Sequence, residues 1–141
     1  MPATFNFTLG ADPQARDVVA QGLLTYNLEQ MGRSNVYDNF ELYARDADDE
    51  VVGGMFGHSG MGWLYIDYLW LQSGLRGEGL GAELIARAED EARRRGCLGV
   101  FLYTYSFQAP GFYEKQGFEV MGILEDCPPG HQRIYLKKRL G

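Results

Sequence analysis

The chain has 141 residues, which suits one domain spanning residues 1–141 and leaves no room for a second. Hydrophobic residues make up 45% and the formal charge is −6, a balance that disfavours non-specific nucleic-acid binding, which rests on Lys/Arg fields. No apolar run is long enough to span a membrane, and the first ten residues lack the basic head and apolar core of a secretory signal, so a cytoplasmic protein is expected.

In chain order, "ATFNFTLG" alternates Phe5, Phe7 and Leu9 and reads as a first strand. Asp12 can cap a helix with Pro13 at its first position, and Gly32 can end it; its broad apolar face suggests a break near Gly22. "RSNVYDN" reads as a loop. "FELYARDA" alternates apolar and polar, "DADDE" is a turn, and "EVVGGMFGHSG" is the next strand. "WLYIDYLWLQ" is continuous in apolar and aromatic residues, which predicts a strand buried on both faces. Short turns join these strands into an antiparallel meander.

The order then changes. Leu80, Leu84, Ile85, Ala88 and Ala92 recur at helical spacing over residues 79–95, and Gly96 is a stop signal. The basic run Arg93–Arg95 falls in the last turn, where cations complement the helix dipole. "CLGVFLYTYS" is a buried strand, so strand, helix and strand imply a parallel crossover. "APGFYEKQGF" is a short helix opened by Pro110, and "FEVMGILED" and "HQRIYLKKRL" are closing strands split by the "CPPG" turn. The expected fold is α/β, a mixed sheet of about seven strands with flanking helices.

Cys97, Cys127, His58 and His131 have no metal or redox spacing, so no metal is expected. The segment that asks for an explanation is "LRGEGLGAEL", Leu75 to Leu84. A helix start offers unpaired N–H groups and partial positive charge, glycines before it let an anion approach the backbone, and Arg76 adds a forked cation. These parts suit a phosphate or pyrophosphate. A Walker loop is excluded, because Gly-Lys-Ser/Thr is missing. "GEGLGA" fits the dinucleotide fingerprint, but it follows four strands and lacks the acidic residue about 20 positions on.

The fuller pattern is Leu69-x-Leu71-x4-Arg76-Gly77-x-Gly79-x-Gly81 running into a helix, with "APGFYEKQGF" (Ala109–Phe118) after the next strand. It resembles the GNAT N-acetyltransferase superfamily, whose acetyl-CoA loop runs Arg/Gln-x-x-Gly-x-Gly/Ala and whose second signature is A-x-x-x-YEK-x-GF. The match is to a small, bacterial-type, single-domain member; residues 12–39 match least. The resemblance implies a GNAT-like acyl-CoA N-acyltransferase fold in which strands 62–72 and 97–105 splay apart to admit acetyl-CoA. Leu69, Trp70 and Leu71 would take the pantetheine arm on their backbone. The loop Arg76, Gly77, Glu78, Gly79, Leu80, Gly81 and Ala82 would take the pyrophosphate. Ser106 stands where the family often has Asn and would donate a hydrogen bond to the cofactor in its place; Ser73 stands where the family often has Pro. Glu78 would repel phosphate unless it points to water.

Tyr113 matches the tyrosine of the signature and is the candidate acid; a phenol with pKa near 10 holds a proton at neutral pH. Asp67 is the candidate base, an acid expected on the same face as Leu69 and Leu71 of a buried strand, where it is costly unless paired. Glu29, Tyr37 and His131 are weaker candidates. Residues 28–38 and 124–132 would line the acceptor side by family analogy, with Glu125 and Asp126 as attractors for a cation or simply turn acids. The implied activity is direct acetyl transfer from acetyl-CoA to a primary amine of a small molecule. A protein lysine or N-terminus as acceptor, and a non-catalytic acyl-CoA-binding module, stand as alternatives. The same analogy admits a homodimer through the C-terminal strands, with no nucleic-acid or membrane partner.

Overall fold

A computed structural model describes residues 4–32, 37–75 and 77–141. Arg76 and residues 33–36 of the expected loop lie outside them. The chain falls into two compact units, residues 1–35 and 36–141.

In the first unit, helix α1 (Pro13–Met31) is capped as the sequence requires. The Asp12 carboxylate accepts from Ala15 N–H at 3.1 Å, Pro13 opens the first turn, and Gly32 closes the helix at φ 69°. The helix runs through Gly22 without a break. Residues 4–9 form no strand, so the expected seven strands become six. Alternation makes a strand only where a neighbouring strand completes the ladder, and here none does.

The second unit carries β1 (Asp38–Arg45), β2 (Val51–Gly60), β3 (Trp63–Leu71), α2 (Leu80–Arg94), β4 (Gly99–Tyr105), α3 (Pro110–Lys115), β5 (Glu119–Glu125) and β6 (Gln132–Arg139). The sheet order is β1-β2-β3-β4-β6-β5, antiparallel throughout except for β3 against β4. Helix α2 is amphipathic and buries Leu84, Ile85, Ala88 and Ala92 in one cluster with Leu64 and Ile66 of β3, Val100 and Leu102 of β4 and Leu136 of β6. Burying each of the leucine, isoleucine and valine side chains is worth about 1.5–3 kcal/mol, so this layer is what holds the sheet to the helix. An ion pair between a half-buried lysine and a buried glutamate links the same layers: Lys138 Nζ lies 2.6 Å from Glu89 Oε1 of α2 and also donates to Gln116 O at the end of α3. No helix among the described residues is long and apolar enough to cross a membrane.

The alternation of β4 separates two faces. Val100, Leu102 and Thr104 point to α2 and are buried; Phe101, Tyr103 and Tyr105 point the other way and are half-buried. The strand β3 begins in the same phase, with Leu64 and Ile66 in the core. Its pairing with β2 then slips: Gly57 opposes Ile66 while Phe56 opposes Tyr68, leaving Asp67 as an extra residue. This bulge resets the phase, and Leu69 and Leu71 return to the core side. Gly57 is required there, because a Cβ would sit 1.9 Å from Tyr65 O. The strand expected to be buried on both faces is therefore buried on one, since no described element of this unit covers the other.

Gly57→Ala should lower the unfolding free energy by about 2 kcal/mol or more, because backbone has to move to admit the methyl group. A urea midpoint equal to that of the parent protein would show that the bulge tolerates a side chain.

Candidate functional site

Pairing between β3 and β4 covers Trp63 to Ile66 against Gly99 to Leu102 and then stops. Beyond that point β3 stays with β2 as far as Leu71, and β4 stays with β6 as far as Tyr105 opposite Arg133. The two halves of the sheet part, and a groove of about 850 Å³ opens on the α2 side of the gap. Leu69, Trp70 and Leu71 line one wall, Thr104 and Tyr113 the other, and Gly77, Gly79, Gly81 and Ala82 its end.

Gly77 and Gly79 have φ of 86° and 81°, in the left-handed region, and a Cβ on either would meet nothing within 4 Å. Glycine serves the backbone turn there and leaves the space before the helix open. Gly81 answers a different need, because a Cβ would come within 3.0 Å of the Phe112 ring, so α2 and α3 approach through it. The N-cap Gly79 supplies no side-chain bond to α2. Glu83 N–H, bonded to Gly79 O at 3.0 Å, is the first amide of the stretch with a backbone acceptor among the described residues. Gly77, Gly79, Gly81 and Ala82 thus set the start of α2, with the positive end of its dipole, at the end of the groove. That fits the diphosphate of a nucleotide-type cofactor such as coenzyme A, and Leu69 to Leu71, unpaired along the β4 side, offer a strand edge to an extended arm.

Tyr113 is 9% exposed, and its hydroxyl has no hydrogen-bond partner among the described residues. Burial against Phe112 and Phe118 pushes its pKa up to about 12. The phenol therefore keeps its proton throughout the neutral range.

Other expected residues are placed differently. Asp67 does not share a face with Leu69 and Leu71. The bulge turns it to the opposite, aromatic face, where it is exposed and its charge is felt by the Tyr65 and Tyr103 phenols. Ser106 lines no part of the groove; its hydroxyl accepts from Gln132 N–H at 2.9 Å and ties the loop after β4 to β6. Glu78 and Leu80 line a separate cavity of about 610 Å³ with Asp46 and Glu83, and Glu78 is exposed there. Sequence reasoning missed Thr104, Gln108 and Phe112. Gln108 Oε1 accepts from Thr104 Oγ1 at 2.9 Å and from Tyr105 N–H at 3.0 Å, which pins that side chain at the groove wall. A buried threonine in an otherwise apolar strand was the available signal, since its hydroxyl needs a partner.

Comparison with known proteins places this geometry. The model of the Acetyltransferase (GNAT) family matches residues 14–118. An acetyltransferase of Agrobacterium fabrum, Atu2258, is 38% identical over 95% of this chain and 98% of its own length. Blasticidin-S acetyltransferase of Streptomyces morookaense is 44% identical over 72% of this chain and 75% of its own. The crystal structure of an acetyltransferase from Bacillus cereus superposes with a TM-score of 0.88 at 28% identity, covering 96% and 98% of the two chains.

Because the native phenol of Tyr113 binds its proton more tightly than an unfolded tyrosine, its contribution to stability is intact below about pH 10 and is lost as pH rises towards 12. Tyr113→Phe should match the parent's unfolding free energy at pH 7 within about 0.5 kcal/mol, since the hydroxyl is unpaired. It should fall less steeply than the parent above pH 10. An identical alkaline slope in chemical denaturation would refute the burial argument.

Proposed function

The chain belongs to the GNAT acetyltransferase family, and we propose that it moves an acetyl group from acetyl-CoA directly to a primary amine of a small molecule. The observation that carries this reading is the glycine-lined start of α2 at the mouth of a parted sheet. When bound, acetyl-CoA supplies the activated acetyl thioester. The chain's own residues do the rest. Backbone N–H groups from Gly77 to Ala82 bind the diphosphate, and Leu69 to Leu71 hold the arm in line. Tyr113 keeps a proton at Oη in a desolvated wall and presents it to the leaving sulfur. Asp67, at the end of the β3–β4 pairing, attracts the incoming ammonium and takes one proton from it; the freed amine forms the C–N bond as the C–S bond breaks, and the second proton that nitrogen sheds restores the one Tyr113 gives to sulfur. No cysteine lines the groove, which supports direct transfer over an acyl-enzyme route. The relative named for blasticidin S supports a small-molecule acceptor over a protein one.

Two measurements test the reading. Acetyl-CoA and CoA should raise the melting temperature by several degrees at saturating concentration, since a ligand at 100 times its Kd stabilises the native state by about 2.7 kcal/mol. Stabilisation by NAD with none by CoA would overturn the assignment. Tyr113→Phe should lower turnover of acetyl-CoA with an amine panel by about 100-fold, read as free thiol, with the thermal shift by acetyl-CoA unchanged. Unaltered turnover would remove Tyr113 as the acid.

A further inference from the structure

The seam that opens towards the groove has a second side, on the aromatic face of the sheet. Tyr65, Phe101, Tyr103, Tyr105 and Tyr135 line it, in ring contact from strand to strand. Arg133 of β6 lies among them, its guanidinium carbon 4.5 Å from the Tyr103 centroid and 5.4 Å from that of Tyr105. Its terminal nitrogens donate to Tyr135 Oη at 3.3 Å and to Tyr105 Oη at 2.9 Å. A guanidinium has five N–H bonds. Two are used in this way, and Nε is closed off with no partner. One N–H on each terminal nitrogen remains.

Arg133 also lacks a counter-charge. Arg45, Arg87, Arg93, Arg94 and Arg95 each have a carboxylate within 4.0 Å; Arg133 has none among the described residues. Asp67, on the other rim of the seam, is likewise without an ion pair among them. Both charges act on the same phenols: Tyr65 is pushed up to about 12 by burial first and then by Asp67, with Arg133 opposing. An unpaired acid and an unpaired base therefore flank one aromatic floor. This floor adjoins the groove, because Phe107 lines the groove and stacks on Tyr105 at 5.2 Å with the rings 10° from parallel.

We propose that Arg133 reads a carboxylate on the acceptor while Asp67 receives its amine, so that the substrate class is an amine bearing a carboxylate, an amino-acid-like compound. The inference rests on the acetyltransferase reading above and deepens it. The guanidinium is held flat by the Tyr103 ring and two hydroxyls, and its two spare N–H bonds suit a planar carboxylate. Among the described residues Asp67 and Arg133 are the carboxylate and cation that act on the Tyr65 and Tyr103 phenols, with the Cys127 thiol also acting on Arg133, so a zwitterion completes both pairs at once.

The test is a binding titration of the whole chain, with acetyl-CoA present, followed by the tyrosine ring resonances in NMR. The probes are a series of α- and ω-amino acids, each with its carboxamide and its decarboxylated amine. The expected result is saturable shifts with a Kd at least tenfold lower for some amino acid than for either of its twins. Arg133→Gln should reduce that ratio to below twofold, and Arg133→Lys should restore part of it. Free-thiol release should show the same order in kcat/KM. Should the twins bind as well as the acids, or should no amino acid shift the rings, Arg133 is a strut for the tyrosines and the proposal fails. If Arg133→Gln does not fold, the parent's preference alone decides. Failure of the acetyltransferase reading shows separately, as absence of any thermal shift with acetyl-CoA.

Discussion

The site depends on a sheet that stops pairing partway along its central seam. Four residue pairs join β3 to β4, and each strand then follows its outer neighbour. The slip at Gly57 drives this. Backbone there approaches so closely that Tyr65 O occupies the space of a side chain, and the extra residue on β3 raises the local twist. The halves stay together because α2 lies across both of them. Leu84, Ile85, Ala88 and Ala92 pack in one cluster with residues of β3 and β4, and the Glu89–Lys138 pair ties the helix to β6. The ladder that ends early leaves the backbone of Leu69 to Leu71 without a strand partner on the β4 side.

One parting of strands thus creates two surfaces with different chemistry. On the helix side, a strand edge and an uncapped helix start meet in one groove, together with a phenol whose burial keeps it protonated. On the other side, tyrosines surround an arginine that has no carboxylate within 4.0 Å among the described residues, and an acid sits at the bulge. Burial disfavours the charged form of both kinds of group. It holds Tyr113 neutral, whereas Arg133 stays charged because hydrogen bonds to the Tyr135 and Tyr105 hydroxyls stabilise the cation.

Much of this was legible in the sequence where the cause was local. Asp12 with Pro13, and Gly32, bound α1 because capping geometry is set within one turn. The spacing of Leu84, Ile85, Ala88 and Ala92 placed the buried face of α2, and the glycines from 77 to 81 marked the turn before it. The expected strand at Phe5 to Leu9 failed for the converse reason: alternation describes a surface, and only a partner strand makes it a ladder. Asp67 was assigned to the wrong face because counting by twos assumes an unbroken register.

The sequence by itself determined the order and type of the helices, the meander, the crossover and the glycine turn, since each follows from periodicity or backbone preference within a few residues. Tertiary structure alone decided where β3 leaves β4, which face Asp67 occupies, and that Ser106 serves β6 while Thr104 and Gln108 form the groove wall. It also decided that Arg133 stands among tyrosines from two strands. These facts depend on register between segments distant in the chain, and strand pairing is settled by long-range contact and close approach of backbone, which no local pattern encodes.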